Sequence, residues 1–279
     1  MLPRPLDYVA PSTVAAAIEA LASRPDARFT AGSYRLIIDL KMRRIEVGTL
    51  VDLRRIEGLT TLAAGDGRLE IGAMVSLDTL ARDARVQVGA AALARAAGLT
   101  GDAQIRNMAA IGGTLAYDGS SSDLAAAVLA LGAEVRVEGA GGVRTIAAGH
   151  FFTEGGTSLG HDEVVTRVDV PTTTMASAYA RTTHPASLAA IVGAAVAVER
   201  GAGGDVTRCA LAVGGTVTRA RRLPAAEAEL VGAPLDEATI ARAATVAADG
   251  VDWSPAAESP AFRGHRLGVL LARLLRTLA

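Results

Sequence analysis

The chain has 279 residues, half of them apolar and a fifth charged, enough to bury a full core and to divide into two domains. Its 28 basic and 29 acidic side chains leave a formal charge of −1 with no run of five like charges, which argues against a nucleic-acid binder and a polybasic membrane anchor. A single cysteine, Cys209, excludes an internal disulfide, and four histidines without a Cys/His cluster at metal-ligand spacing exclude an iron–sulfur cluster held by this chain.

Apolar stretches such as Ile191 to Val198 fall short of the roughly 18 residues a membrane span needs. No signal peptide precedes the fold, so a cytoplasmic protein is expected.

Along the chain, helical and strand-like segments alternate as in a mixed α/β or α+β domain. Ser12 is positioned to cap a helix burying Val14, Ile18 and Leu21. Phe29-Thr30 ends a strand that enters Ala31-Gly32-Ser33, and a helix with Leu36, Ile37 and Leu40 follows. Glycine between a strand and a helix leaves N–H donors at a helix start, where anions bind. Leu50 to Leu53 and Leu69 to Ala73 read as strands, Ser76 as the cap of a helix through Leu77 and Leu80, and Ala90 to Ala97 as a further helix. Residues 104–116 read as a second glycine loop, with Gly112-Gly113 in it, and Ser120 to Asp123 opens an apolar helix to Leu131. This makes a second candidate anion site.

Ala133 to Val137 and Val143 to Ile146 flank Gly139-Ala140-Gly141-Gly142 as a hairpin, and Val164 to Val170 alternates up to Pro171. Past a boundary between Pro171 and Ala176, Ala178 to Thr182, Ala190 to Val198 and Val206 to Val213 predict a small sheet. The remainder predicts helices: one capped by Asp236, and a last one opened by Ser259-Pro260 with a stripe of Phe262, Leu267, Leu271, Leu274 and Leu278.

The Rossmann spacing G-x-G-x-x-G is absent, so the glycine loops alone name no cofactor. Their order and spacing with other segments carry a resemblance. Pro5-Leu6-Asp7-Tyr8, Ala31-Gly32, Leu50-Val51-Asp52-Leu53, Ile71-Gly72-Ala73, Ile105-Arg106-Asn107, Ile111-Gly112-Gly113, Ser122-Asp123-Leu124 and Asp162 to Thr166 fall in one register. Ser177 to Arg181, Ala210 to Gly215, Ala226-Glu227 and Phe262-Arg263 continue it. In this order they resemble the FAD-binding medium subunit of the molybdenum hydroxylases, the family of xanthine and carbon monoxide dehydrogenases.

The resemblance implies an α+β fold: residues 1–173 form an FAD-binding domain of the vanillyl-alcohol oxidase type with two α/β subdomains, and residues 174–279 a small α+β C-terminal domain. It implies that FAD is held by Ala31, Gly32, Ser33, Tyr34, Arg35 and Leu36 from the first loop and Ile111, Gly112, Gly113 and Thr114 from the second. Val165 joins them. Asp123 matches a position that bonds ribityl or ribose hydroxyls, Tyr179 one that stacks on the flavin ring, and Arg181 replaces a lysine supplying positive charge nearby. No catalytic residue and no metal ligand is expected in this chain. His184 and Ser187, where the family often has Arg and Asp, receive no catalytic role. The implied partners are an iron–sulfur subunit with [2Fe-2S] centres and a molybdopterin subunit, with NAD, oxygen or a quinone as acceptor, and neither nucleic acid nor membrane.

This chain departs from the family at the cofactor contacts. Ser33, Tyr34 and Arg35 stand where the first loop has glycine and small polar residues, Ala110 replaces a threonine, Thr114 an asparagine, and Tyr117-Asp118-Gly119 a small-residue stretch. Two further readings therefore stay open: a stand-alone biosynthetic enzyme with a reshaped cleft, and a non-catalytic scaffold subunit.

Overall fold

The structure is a computed structural model that describes residues 3–172, 175–185 and 189–279. The expected domain boundary between residues 173 and 174, and Ser187, lie outside the described residues.

The chain begins with β1 (Asp7–Val9), α1 (Val14–Ala22), β2 (Ala27–Thr30), α2 (Tyr34–Lys41) and β3 (Thr49–Asp52). The three strands form a parallel sheet in the order β1-β3-β2. Thr13, one residue past the expected cap, accepts from the Ala16 N–H at the start of α1. Leu53 leaves the strand and enters a 3-10 turn in which the Arg54 N–H donates to the Asp52 side chain at 2.9 Å.

Next come β4 (Leu62–Gly65), β5 (Arg68–Gly72), α3 (Leu77–Arg82), α4 (Ala84–Gly89), α5 (Ala91–Leu99), α6 (Ala103–Met108), α7 (Ile111–Asp118) and α8 (Asp123–Ala130). Ser76 caps α3 as expected, accepting from the Thr79 N–H. Residues 104–116 are not a loop: α6 and α7 occupy them, joined through Ala109 and Ala110, and Gly112-Gly113 sit in the first turn of α7. Two glycines oppose helix propensity by roughly 1 kcal/mol each, and the contacts they permit, described below, explain their presence.

The chain continues with β6 (Glu134–Gly139), β7 (Gly142–Ala147), α9 (Ala148–Phe151), β8 (Phe152–Thr153), β9 (Gly156–Thr157) and β10 (Val164–Pro171). β6 and β7 form the expected hairpin, turning at Ala140-Gly141 with Gly142 at φ 100. A five-stranded antiparallel sheet runs β4-β5-β10-β6-β7, with β10 at its centre.

The C-terminal part holds β11 (Ala176–Thr183), β12 (Ala190–Arg200), β13 (Val206–Gly215), β14 (Arg221–Arg222), α10 (Pro224–Ala228), α11 (Glu237–Asp249) and α12 (Pro260–Arg276). Its antiparallel sheet is covered on both faces, so β12 is buried along almost its whole length and shows no polar alternation. Ala195, Ala197, Ala210 and Ala212 join the core that includes α5 and α8, while Val192, Val196, Leu211 and Val213 join α11 and α12. Alanines on the first face let α8 approach closely.

In α12, Leu267, Leu271 and Leu274 are buried, each contributing roughly 1.5–3 kcal/mol. Phe262 departs from the expected stripe: it lies in the first turn beside the Ser259 cap, exposed, with the Arg266 guanidinium 5.9 Å from its ring. Among the described residues no helix is long and apolar enough to cross a membrane.

Candidate FAD cleft

The first loop leaves the carboxyl end of a parallel strand and opens a helix, the place where α/β sheets bind ligands. Gly32 has φ 74, and a Cβ there would lie 2.0 Å from the Met108 carbonyl oxygen. Only glycine satisfies both constraints. Ser33 also adopts a left-handed backbone, φ 56, at a strain of the order of 1 kcal/mol. A hydrogen bond between the Thr30 and Ser33 hydroxyls holds it. That hydroxyl is therefore engaged and does not cap α2.

Gly112 and Gly113 serve the same closeness from the other side. A Cβ on Gly112 would lie 2.6 Å from the Ala73 Cβ, and one on Gly113 2.5 Å from the Ala31 carbonyl oxygen. Three segments distant in sequence, around residues 31–33, 73–75 and 108–114, thus touch backbone to backbone. The two bends converge. The glycines achieve this by admitting neighbouring protein backbone, not only by exposing their own amides. The Ile111 and Gly112 N–H groups donate to the Val75 and Ala73 carbonyls at 3.0 and 2.9 Å, so they are committed to the fold. The Gly32, Ser33 and Gly113 N–H groups have no acceptor among the described residues.

A cavity of about 300 Å³ opens at this junction, at the lower end of the roughly 300–1,000 Å³ typical of ligand pockets. Ala31, Ser33, Tyr34, Arg35, Leu36, Gly112, Gly113, Thr114 and Val165 line it; Gly32 and Ile111 do not. Phe29, Leu53, Leu159 and Val164 add an apolar wall that reasoning from the motifs missed, because nothing in a strand or loop pattern marks which apolar residues face a cleft. Tyr34 and Arg35, the two large departures from the family pattern, are wall residues: the cavity persists beside them.

Two carboxylates organise its rim. Glu163 pairs with Arg144 at 2.6 and 2.7 Å and accepts from the Gly160 N–H at 2.7 Å, fixing the 158–163 loop. The hydrogen bonds from Arg144 outweigh burial and hold its pKa below the usual value. On the opposite side Tyr117, on α7, donates to Asp39, on α2, at 2.6 Å. Burial and then the Asp39 carboxylate push the phenol up to about 12. Asp39 in turn is held low, first by the Tyr117 hydroxyl and then by Arg44, with Arg35 adding positive charge.

Asp123, Tyr179 and Arg181 come together elsewhere. The Tyr179 hydroxyl donates to Asp123 Oδ1 at 2.6 Å, Arg181 Nη1 to Oδ2 at 2.5 Å, and the Thr100 hydroxyl to Oδ2 at 3.2 Å. Arg181 also donates to the Leu99 carbonyl. All three residues are buried or nearly so, and none lines the cavity. They join the end of α5, the start of α8 and β11, the seam between the N-terminal helices and the C-terminal sheet. Desolvation raises the Asp123 pKa against the opposing pull of Arg181, and raises that of Tyr179 well above its ordinary value.

The amide donors at two helix starts, with Arg28 and Arg35 on the walls, fit a diphosphate-bearing ligand. Comparison with known proteins agrees. Residues 4–173 match the family profile described as FAD binding domain in molybdopterin dehydrogenase, and residues 177–278 that of the CO dehydrogenase flavoprotein C-terminal domain. The chain is 31% identical over 287 residues to the 6-hydroxypseudooxynicotine dehydrogenase complex subunit alpha of Paenarthrobacter nicotinovorans, covering 100% of this chain and 95% of the relative. It is 30% identical to the carbon monoxide dehydrogenase medium chain of Hydrogenophaga pseudoflava, covering 88% and 87%. Among solved structures, carbon monoxide dehydrogenase from Hydrogenophaga pseudoflava superimposes with a TM-score of 0.94 at 30% identity, covering 99% of this chain and 98% of that one. Quinoline 2-oxidoreductase from Pseudomonas putida 86 gives 0.92 at 28% identity, again over 99% and 98%.

Proposed function

The chain belongs to the FAD-binding flavoprotein subunits of the molybdopterin dehydrogenases, and from that membership we propose that it is the electron-transfer subunit of a molybdenum hydroxylase. It takes electrons from [2Fe-2S] centres of a partner subunit, whose own source is a molybdopterin subunit, and passes them to NAD, oxygen or a quinone. Bound FAD supplies the exchange between one-electron and two-electron partners. The chain's own residues position and screen. The open amides of Ser33 and Gly113 would receive the diphosphate, Arg28 and Arg35 would balance its charge, and Leu53, Leu159 and Val164 would exclude water from the apolar part of the ligand.

The observation that carries this reading is the backbone contact of the two glycine-bearing helix starts, which gathers donors from both onto one cavity. Purified protein titrated with FAD is expected to bind one equivalent, with the visible absorbance and quenched fluorescence of a bound flavin, and to copurify with iron–sulfur and molybdenum subunits. A preparation that stays colourless in excess FAD overturns the reading.

A further inference from the structure

Tyr117 lies one helical turn beyond Gly113 on α7, and Asp39 one turn beyond Arg35 on α2. Their hydrogen bond, 2.6 Å long, bridges 78 positions of sequence. The helices flanking the cavity are therefore held at two levels: the contact of Gly113 with the Ala31 carbonyl at their starts, and the phenol–carboxylate bond a turn further on. Tyr34, Arg35 and Thr114, which line the cavity, fall between those levels in sequence.

Tyr117 also lines the cavity and is 43% exposed, so its side chain adds little to any core. A large aromatic at such a position gains its worth from the bond its hydroxyl makes. The carboxylate end is itself fixed, since Arg44 donates to Asp39 at 3.1 Å.

We propose that Tyr117 and Asp39 form a strap between α2 and α7, a pair of positioning residues that slows release of FAD from the cleft without taking part in electron transfer. The strap rests on the FAD reading above. Neither end changes protonation across the neutral range: the phenol titrates near 12 and the carboxylate below its ordinary value, in the field of Arg28, Arg35 and Arg44. The strap therefore holds at constant strength between about pH 5 and pH 10.

The test is FAD release from the full-length protein, followed by recovery of flavin fluorescence after dilution. Tyr117→Phe and Asp39→Ala are each expected to speed release about 3- to 10-fold, the equivalent of one modest hydrogen bond. The double variant should be no faster than either single one, and Asp39→Asn, which keeps an acceptor oxygen, should stay within about twofold of the wild type. The unfolding midpoint of the FAD-free protein should fall only by the share of one exposed hydrogen bond, while release speeds at temperatures well below it, which separates a strap from a merely structural bond. Unchanged release in Tyr117→Phe, or additive losses in the double variant, overturns the strap while leaving the FAD reading intact. A wild-type protein that takes up no FAD overturns both.

Discussion

Two polar clusters of this molecule invite comparison: the glycine junction beside the cavity, and the Asp123–Tyr179–Arg181 seam. At the seam, both carboxylate oxygens of Asp123 accept from protein donors, and the guanidinium spends its remaining reach on Leu99. At the junction, Gly32, Ser33 and Gly113 keep amides with no acceptor among the described residues. Both regions contain charged or polar residues that family resemblance assigns to one cofactor. The difference teaches that residue identity marks a candidate, while unspent hydrogen-bonding capacity facing a cavity marks a binding surface.

The largest effect should come from opening the seam. Arg181→Ala leaves the Asp123 carboxylate buried without its countercharge, and a loss of about 3–5 kcal/mol in denaturant unfolding is expected. FAD affinity of the fraction that folds should change far less than stability.

Gly113→Ala probes the junction from the opposite direction. Its Cβ would lie 2.5 Å from the Ala31 oxygen, so the helix starts must part. A stability loss of about 1–3 kcal/mol is expected, together with at least a tenfold weaker FAD affinity by titration. Equal FAD affinity in this variant and the wild type would break the assignment of the junction to the cofactor.

Tyr179→Phe sharpens the contrast, because it removes one donor from Asp123 and keeps the ring. Unfolding free energy should fall by about 1–3 kcal/mol, with FAD affinity unchanged. An affinity loss larger than the stability loss would move Tyr179 from the seam to the cofactor.

The smallest effect concerns the rim. Arg144 holds the Glu163 pKa below 4.5, so its contribution is fully present above that value and is lost as pH falls through the lowered one. Glu163→Gln should be slightly less stable at neutral pH and should lack that part of the acid-limb slope in a series of unfolding midpoints against pH.

Much of the architecture was legible from sequence. Ser76, Asp236 and Ser259 cap the helices they were expected to cap, and the β6–β7 hairpin turns where its glycines demanded. The expectation that residues 104–116 form a loop failed because Gly112 and Gly113 are poor helix formers, and their helical state depends on Ala73 and Ala31, remote in sequence. Ser33 hid its left-handed backbone behind a residue that seldom adopts one. The apolar wall of Phe29, Leu53, Leu159 and Val164 could not be assigned from sequence, because segments that include Leu53 and Val164 do not say which apolar side chains face a cleft.

What the sequence determined by itself was local and periodic: element types, caps and turns, each written within a few residues, and the order along the chain of the short segments that carry the resemblance. Tertiary structure decided the partners. Whether Asp123 meets a ligand or Arg181, whether an amide at Gly112 is spent on Ala73 or left open as at Gly113, and whether Tyr117 reaches Asp39 depend on groups some 40 to 80 positions apart, which only the packed core brings within hydrogen-bond range.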